Sequence, residues 1–284
     1  MVEKVLVTGA SGYIGRHVID ELMSYDCKIL VADPRSDAES DADDERYQVI
    51  RFPIFENSQA LYQELGAPDR CIHLAWEDGF NHNSSAHLDN LPKHLHFISQ
   101  MIKGGIKSLS IMGSMHEVGY WVGAINEDTP CNPGSFYGIA KNALRQAALL
   151  MAKDSDTSLK WLRGFYVTGD DEHSNSVFGK LAEAAHAGAK TFPFTSGRNQ
   201  YDFLDVHELA HQIVAASMQD GIDGIINCCS GKPLPLGTRM EQFILDQKFD
   251  IKLDYGAFPD RDYDSPCVWG DATKIKKIID MDRR

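Results

Sequence analysis

The sequence has no apolar stretch approaching the ~20 residues that a helix needs to cross a bilayer, and it has no CxxC pair. Positive charge is also scarce. Against 28 lysines and arginines stand 41 aspartates and glutamates, a net charge of −13. Each shortage excludes something. Without a long apolar run, no membrane-spanning helix is expected. A uniformly acidic chain is repelled by phosphate backbones and anionic lipid, so neither nucleic acid nor a membrane surface is an expected partner. A small anionic ligand needs only a few local donors and stays open. The six cysteines (Cys27, Cys71, Cys131, Cys228, Cys229 and Cys267) are scattered, four of them in or beside strand-like runs. That pattern fits buried reduced thiols rather than a disulfide framework or a zinc site. No signal-peptide pattern precedes the strand-like "KVLVTG", so a cytoplasmic protein is expected.

What is present is ordinary in amount and informative in order. A chain of 284 residues with 43% hydrophobic and 24% charged content can build a large α/β unit, with room for a smaller lobe. Short apolar runs recur: "KVLVT", "CKILVAD", "YQVIRF", "RCIHLA", "KSLSIMG", "LKWLRGF" and "GIINCCS". Their β-branched content fits strands buried on both faces of a parallel sheet. Between the first two, Ile14, Val18 and Leu22 repeat every four residues, the stripe of an amphipathic helix. The alternation predicts a doubly wound parallel sheet, a Rossmann domain over residues 1–165. After Phe165, glycine and proline punctuate shorter elements, which predicts a smaller C-terminal substrate lobe over 166–284. A segment near 201–230 is expected to return to the first domain, and the cleft between the two is the expected site. The acidic run at 36–45 reads as a solvated loop.

"VTGASGYIGRHV" joins the first strand to the first helix. Gly9, Gly12 and Gly15, with Ser11, Tyr13 and Ile14 between them, make a turn without Cβ atoms at the key points. Its backbone can approach a pyrophosphate, and the helix N-terminus supplies free N–H groups and a positive dipole end. Asp33 ends the second strand, where a carboxylate accepts both ribose hydroxyls and repels a 2′-phosphate. Arg35 pulls the other way, toward a 2′-phosphate. NAD is therefore the expected cofactor, with NADP second.

In "SFYGIAK", Tyr137 and Lys141 are four residues apart and share one helix face. Taken with "TGASGYIG", "HLAW" at 73–76, "QYDFLDVHELA" and "INCCSGKPLPL", this resembles the extended short-chain dehydrogenase/reductase family. The resemblance is to its NAD-dependent epimerase/dehydratase branch, which acts on nucleotide sugars, and it covers nearly the whole chain. It implies that Tyr137 is the acid/base, that Lys141 supplies positive charge and binds the nicotinamide ribose, and that Ser114 hydrogen-bonds the reacting carbonyl. Leu74 and Ala75 in "HLAW", and Asn90 in the following helix, match cofactor-side positions. A free tyrosine has a pKa of ~10, so bringing it near 7 takes ~4 kcal/mol of preferential phenolate stabilisation.

Family dehydratases carry an Asp-Glu pair directly after the catalytic hydroxyl, whereas here those positions are Met115 and His116. Methionine cannot shuttle a proton and Glu117 is one place late, so elimination of water is not expected. His116 is read either as a second acid or as a structural histidine. Tyr166 stands where the family has an asparagine, Tyr201 where it has an arginine, and Pro53 where an adenine-contacting aspartate often lies. Met115, His116, Tyr166, Arg198 and Arg261 are the expected substrate contacts. The arginines are candidates for a diphosphate, as is Arg239, against the competing reading of ordinary surface residues. "HELAH" at 207–211 satisfies a zinc-peptidase pattern, but Val206, Leu209, Ala210 and Ile213 form the buried stripe, and no third ligand is evident. The leading expectation is an NAD(P)-dependent reductase of a nucleotide-linked 4-keto-6-deoxyhexose. A C4 epimerase and a non-catalytic dinucleotide-binding regulator are the alternatives, and the family implies a homodimer.

Overall fold

The computed structural model describes residues 2–32, 46–79, 81–169, 176–260 and 264–282. β1 (Glu3–Thr8) leads through the glycine turn into α1 (Tyr13–Leu22), and β2 (Cys27–Ala32) and β3 (Tyr47–Val49) follow. Next come α2 (Leu61–Glu64), β4 (Arg70–His73), α3 (Ala86–Asp89), α4 (Leu91–Gly104) and β5 (Ser108–Ser114). A single 3-10 turn (Met115–Glu117) and β6 (Gly123–Ile125) precede the long α5 (Phe136–Ala152). The chain continues as β7 (Ser158–Gly164), β8 (Tyr166–Thr168), α6 (Val177–His186), β9 (Thr191–Pro193), β10 (Gln200–Asp205) and α7 (Val206–Met218). Then follow β11 (Gly224–Cys228), β12 (Pro233–Pro235), α8 (Leu236–Asp246), β13 (Lys252–Asp254), β14 (Cys267–Gly270) and α9 (Thr273–Met281).

Seven strands form one parallel sheet in the order β11-β7-β5-β4-β1-β2-β3, as the doubly wound reading expected. Alternation of side chains sorts its two faces. Val5 and Val7 pack with Val18 and Leu22 of α1 and Leu209 and Ile213 of α7, whereas Leu6 points to Phe97 and Met101 of α4 and Leu144 of α5. All of these are fully buried. Burial of each is worth about 1.5–3 kcal/mol, so the sheet and its five long helices cohere through both cores. The run "YQVIRF" yields only the three-residue edge strand β3.

Register brings the functional strand ends level. Thr8 pairs with His73, His73 with Ile111, and Ser114 with Gly164. The chain order reverses between β1 and β4, which is where open α/β sheets bind ligands, beyond their carboxyl ends.

β12, β10, β14 and β6 make a smaller sheet, with β8 beside β10, and β9 pairs with β13. A third core of Phe178, Leu181, Phe194, Met240, Phe243 and Ile251 sits under α6 and α8. Of the segment 201–230, β10 belongs to this small sheet while β11 joins the large one. α9 also packs back, placing Ile275 and Ile278 in the core that holds α1 and α7. Asp202 of β10 ties the pieces together. Fully buried, its carboxylate accepts hydrogen bonds from Ser230 N (2.8 Å), Ser230 Oγ (2.6 Å), Gly231 N (2.9 Å) and Gly270 N (3.1 Å).

Candidate active site

The glycine turn at the end of β1 is shaped by what cannot be added to it. Gly9 has φ +72°, and a Cβ there would lie 2.7 Å from the backbone nitrogen of Ala75. At Gly15 a Cβ would come within 2.1 Å of the Gly9 carbonyl oxygen, so α1 rests directly on the turn. Gly12 precedes α1 without a side-chain cap for the helix among the described residues. The amides of the first helical turn are therefore presented outward, as a pyrophosphate requires. Leu74 and Ala75 form the facing wall, and Ala75 N donates to Thr8 Oγ1 (3.3 Å). Ile14 packs partly into the core behind the turn. These residues fit a dinucleotide. Asn90 is held at the start of α4, donating to Glu77 Oε2 (2.7 Å) and accepting from Lys93 (2.7 Å). Asp33, Arg35 and Arg261 lie outside the described residues.

At the end of β5, Ser114 turns the chain into the 3-10 helix, and its Oγ accepts from His116 N (3.3 Å). α5 approaches from the other side. Ser135 caps it by accepting from Gly138 N (3.1 Å), and Tyr137 N donates to the His82 carbonyl (2.9 Å). Gly138 allows the contact, because a Cβ there would lie 2.4 Å from the His116 carbonyl oxygen. The consequence is that the Tyr137 hydroxyl is brought beside Ser114, near enough for that hydroxyl to favour the phenolate. One turn further on, Lys141 is 3% exposed. Its ammonium donates to the Met112 carbonyl (2.8 Å), lies 3.6 Å from the Trp76 ring centroid and 5.8 Å from that of Tyr137. The hydroxyl, the phenol and the ammonium thus converge from two segments.

Their titration runs against the activated phenol that the sequence led one to expect. Tyr137 is half-buried, yet enough protein surrounds it to push its pKa up to about 12. The neighbouring Ser114 hydroxyl offsets part of that rise, and the Glu117 carboxylate adds to it. Burial also lowers Lys141 to about 7, with Glu117 pulling the other way. The lysine directs its ammonium to a backbone carbonyl and an indole face, not to the phenol.

Neutral aromatic groups supply the walls. His82 stacks on Tyr137 with centroids 5.1 Å apart and planes 13° from parallel, and His116 and Trp76 approach edge-on at 6.0 Å. Trp76 Nε1 donates to His87 Nδ1 (3.1 Å), so it is His87 Nε2 that carries a proton toward the Asn81 carbonyl (2.9 Å). Below the glycine turn, Thr8 Oγ1, His73 and His94 are linked at 2.7 and 2.9 Å, and burial holds both imidazoles well below their ordinary range.

Glu117 turns away from the site. Completely buried, it accepts from Trp161 Nε1 (2.8 Å) and from Arg163 Nε (2.7 Å), with Arg145 Nε at 3.6 Å. Met115 is also buried. Tyr166 stands 6.3 Å from His116 and packs against Tyr201 at 4.3 Å with the rings tilted by 35°, so the two positions that depart from the family pattern form one aromatic unit. Arg198 is exposed on the turn before β10, whereas Arg239 reaches the end of β8, donating to Thr168 Oγ1 (3.2 Å). In "HELAH", His207 packs on His17 (4.4 Å between centroids), and His211 Nδ1 lies 3.0 Å from Glu21 Oε1. Among the described residues no group of three histidine, cysteine or acidic side chains is placed to hold a metal ion. No helix among them is long and apolar enough to cross a membrane. Trp76 ends the "HLAW" motif, whereas His82 and His87 carry no local spacing signal that would have marked them.

Comparison with known proteins places the chain. Over 269 residues it is 44% identical to dTDP-6-deoxy-L-talose 4-dehydrogenase (NAD(+)) of Aggregatibacter actinomycetemcomitans, covering 94% of this chain and 98% of that one. UDP-arabinose 4-epimerase 1 of Arabidopsis thaliana is 26% identical over 321 residues, with 98% and 75% covered. In fold the chain resembles UDP-N-acetylglucosamine 4-epimerase from Methanobrevibacter ruminantium M1, with TM-score 0.83, 23% identity and coverage of 98% and 92%. Residues 5–229 match a family profile, and with the end-to-end relative they make the assignment plain: the chain belongs to the NAD dependent epimerase/dehydratase family.

Proposed function

We propose that this protein is an NAD-dependent oxidoreductase acting at C4 of a 6-deoxyhexose carried on a nucleoside diphosphate, interconverting the C4 alcohol and the 4-ketone. One observation carries the reading. The relative that is 44% identical from end to end is named for that oxidation. The convergence of Ser114, Tyr137 and Lys141 supports it from the chain's own geometry. The 4-reductase suggested by the sequence and the relative's 4-dehydrogenase are two directions of one couple.

The glycine turn with the first turn of α1 would hold the pyrophosphate of NAD, Leu74 and Ala75 would line its path, and Lys141 would meet the nicotinamide ribose. When bound, NAD supplies the hydride acceptor. The chain's residues do the rest. Ser114 and Tyr137 hold the C4 oxygen between them, and Tyr137 takes its proton on oxidation and returns it on reduction. With Met115 buried and Glu117 locked in the interior, no acid/base pair follows Ser114, in keeping with redox chemistry that stops short of water elimination.

The test is to supply NAD and dTDP-6-deoxy-L-talose and follow NADH. One NADH per sugar consumed is the expected result. Interconversion of C4 epimers without net NADH would instead establish the epimerase reading, which the 26% identical UDP-arabinose 4-epimerase favours. Tight NAD binding with no sugar turnover would leave a regulatory dinucleotide binder. We further propose a homodimer through α5, which exposes Phe136, Ile139, Leu150 and Met151. Light scattering at micromolar protein should give twice the monomer mass.

A further inference from the structure

Five histidines crowd around Trp76 and Tyr137, and they are of two kinds. His73, His87 and His94 have ring nitrogens engaged with protein. His82 and His116 make no ring hydrogen bond within the described residues, although both are half-buried and both touch the phenol of Tyr137. Their rings are 4.3 Å apart, centroid to centroid.

A loop delivers His82 and the 3-10 turn delivers His116, and each is anchored to the proposed catalytic groups through backbone. The His82 carbonyl accepts the Tyr137 N–H (2.9 Å), an otherwise orphan donor of the first turn of α5. The His116 N–H donates to Ser114 Oγ (3.3 Å), and α5 lies against the His116 carbonyl where Gly138 has no side chain. The imidazoles are therefore fixed relative to the two groups that hold the C4 oxygen, while their nitrogens are left over. Burial lowers both pKa values, His116 to about 3, so each ring is neutral at physiological pH. A neutral imidazole offers one donor and one acceptor. A hydroxyl asks for one of each.

We propose that His82 and His116 together read the hydroxyl at C3, beside the reacting carbon. The choice of carbon rests on the C4 oxidoreductase reading above. With the C4 oxygen at Ser114 and Tyr137, the neighbouring carbons are C3 and C5, and in a 6-deoxyhexose C5 bears a methyl group and the ring oxygen. C3 alone presents a hydroxyl at that distance. His82 thereby joins the substrate contacts as a specificity residue, and its stack on Tyr137 serves also to place the phenol.

The test is a cycle of variant against substrate. His82→Phe keeps a flat ring on Tyr137 and removes both nitrogens, and His116→Phe does the same from the other side. With the NAD-bound protein, kcat/KM and the sugar Kd are measured for dTDP-6-deoxy-L-talose and for its 3-deoxy analogue. Each variant is expected to lose about 10- to 100-fold on the 3-hydroxy sugar, as for loss of a hydrogen bond to a substrate group, and to match wild type on the 3-deoxy sugar. Equal losses on both sugars, or a wild type that handles both alike, would overturn the assignment and leave His82 a packing residue. Wild-type binding that discriminates the sugars without any turnover would instead overturn the C4 oxidoreductase reading and leave the hydroxyl contact standing.

Discussion

The two walls of the cleft are built on different principles. On the cofactor side, Gly9, Gly12 and Gly15 define the surface by omission, and the groups offered to a ligand are backbone amides at the start of α1. On the side proposed for the sugar the surface is almost wholly side chain: Trp76, His82, His116 and Tyr166 around Tyr137. A backbone cradle suits a ligand part that never changes, since it tolerates few substitutions. An aromatic wall can be re-cut one residue at a time without disturbing the sheet, which suits a family whose sugars differ.

That contrast can be broken from either side. Tyr137→Phe removes a single oxygen from the sugar wall, and kcat should fall by about 10²- to 10⁴-fold. NAD affinity and the urea midpoint should barely move, and calorimetry with equilibrium unfolding checks both. Glu117→Ala tests the floor beneath that wall. Leaving Arg163 buried beside Trp161 without its carboxylate should cost about 3–5 kcal/mol in urea unfolding, with a parallel loss of folded yield. Gly15→Ala attacks the cradle, where a Cβ would sit 2.1 Å from the Gly9 oxygen. Overpacking of about 1–3 kcal/mol is expected, along with NAD affinity weakened well beyond any effect on the affinity for a nucleoside diphosphate alone.

The most gradual effect, spread over several pH units, sharpens the comparison through pH. Lys141 titrates near about 7 in the folded protein, below the ordinary lysine value of 10.5, because burial disfavours its charge. Between those values the unfolded chain holds a proton that the folded chain has released. Stability due to this group therefore rises with pH across the window, by at most about 1.4 kcal/mol per unit. Wild type should gain on Lys141→Met in urea midpoint as pH is raised from 7 toward 10. A constant difference would show that the ammonium keeps its proton in the folded state.

The same division decided what could be read from sequence. The cradle and the Tyr–Lys pair are written as contiguous motifs, because a turn and one helix face are local objects, and "VTGASGYIG" and "SFYGIAK" fell at the strand–helix turn and on the helix expected, whereas Ser114, on another segment, was named from the family resemblance. The sugar wall is not local. His82 meets Tyr137 across a long separation in the chain, and nothing in "NHNSS" announces the contact. Tyr166 and Tyr201 read as two unrelated departures from a pattern, yet their rings pack against each other. The direction of the Tyr137 shift was equally out of reach, since spacing places Lys141 near the phenol but cannot say that a carbonyl of β5 holds its proton.

The cluster at Asp202 bears on how the polypeptide matures. Its amide partners come from residues 230, 231 and 270, so the carboxylate stays short of its full complement until late in synthesis. An emerging chain can pair β10 with β8 and β12 first, but the carboxylate gains its fourth bond, and β10 its pairing with β14, only after Gly270 has left the ribosome. Nascent protein stalled ahead of that point should be open to proteases in its second half and need chaperone shelter there.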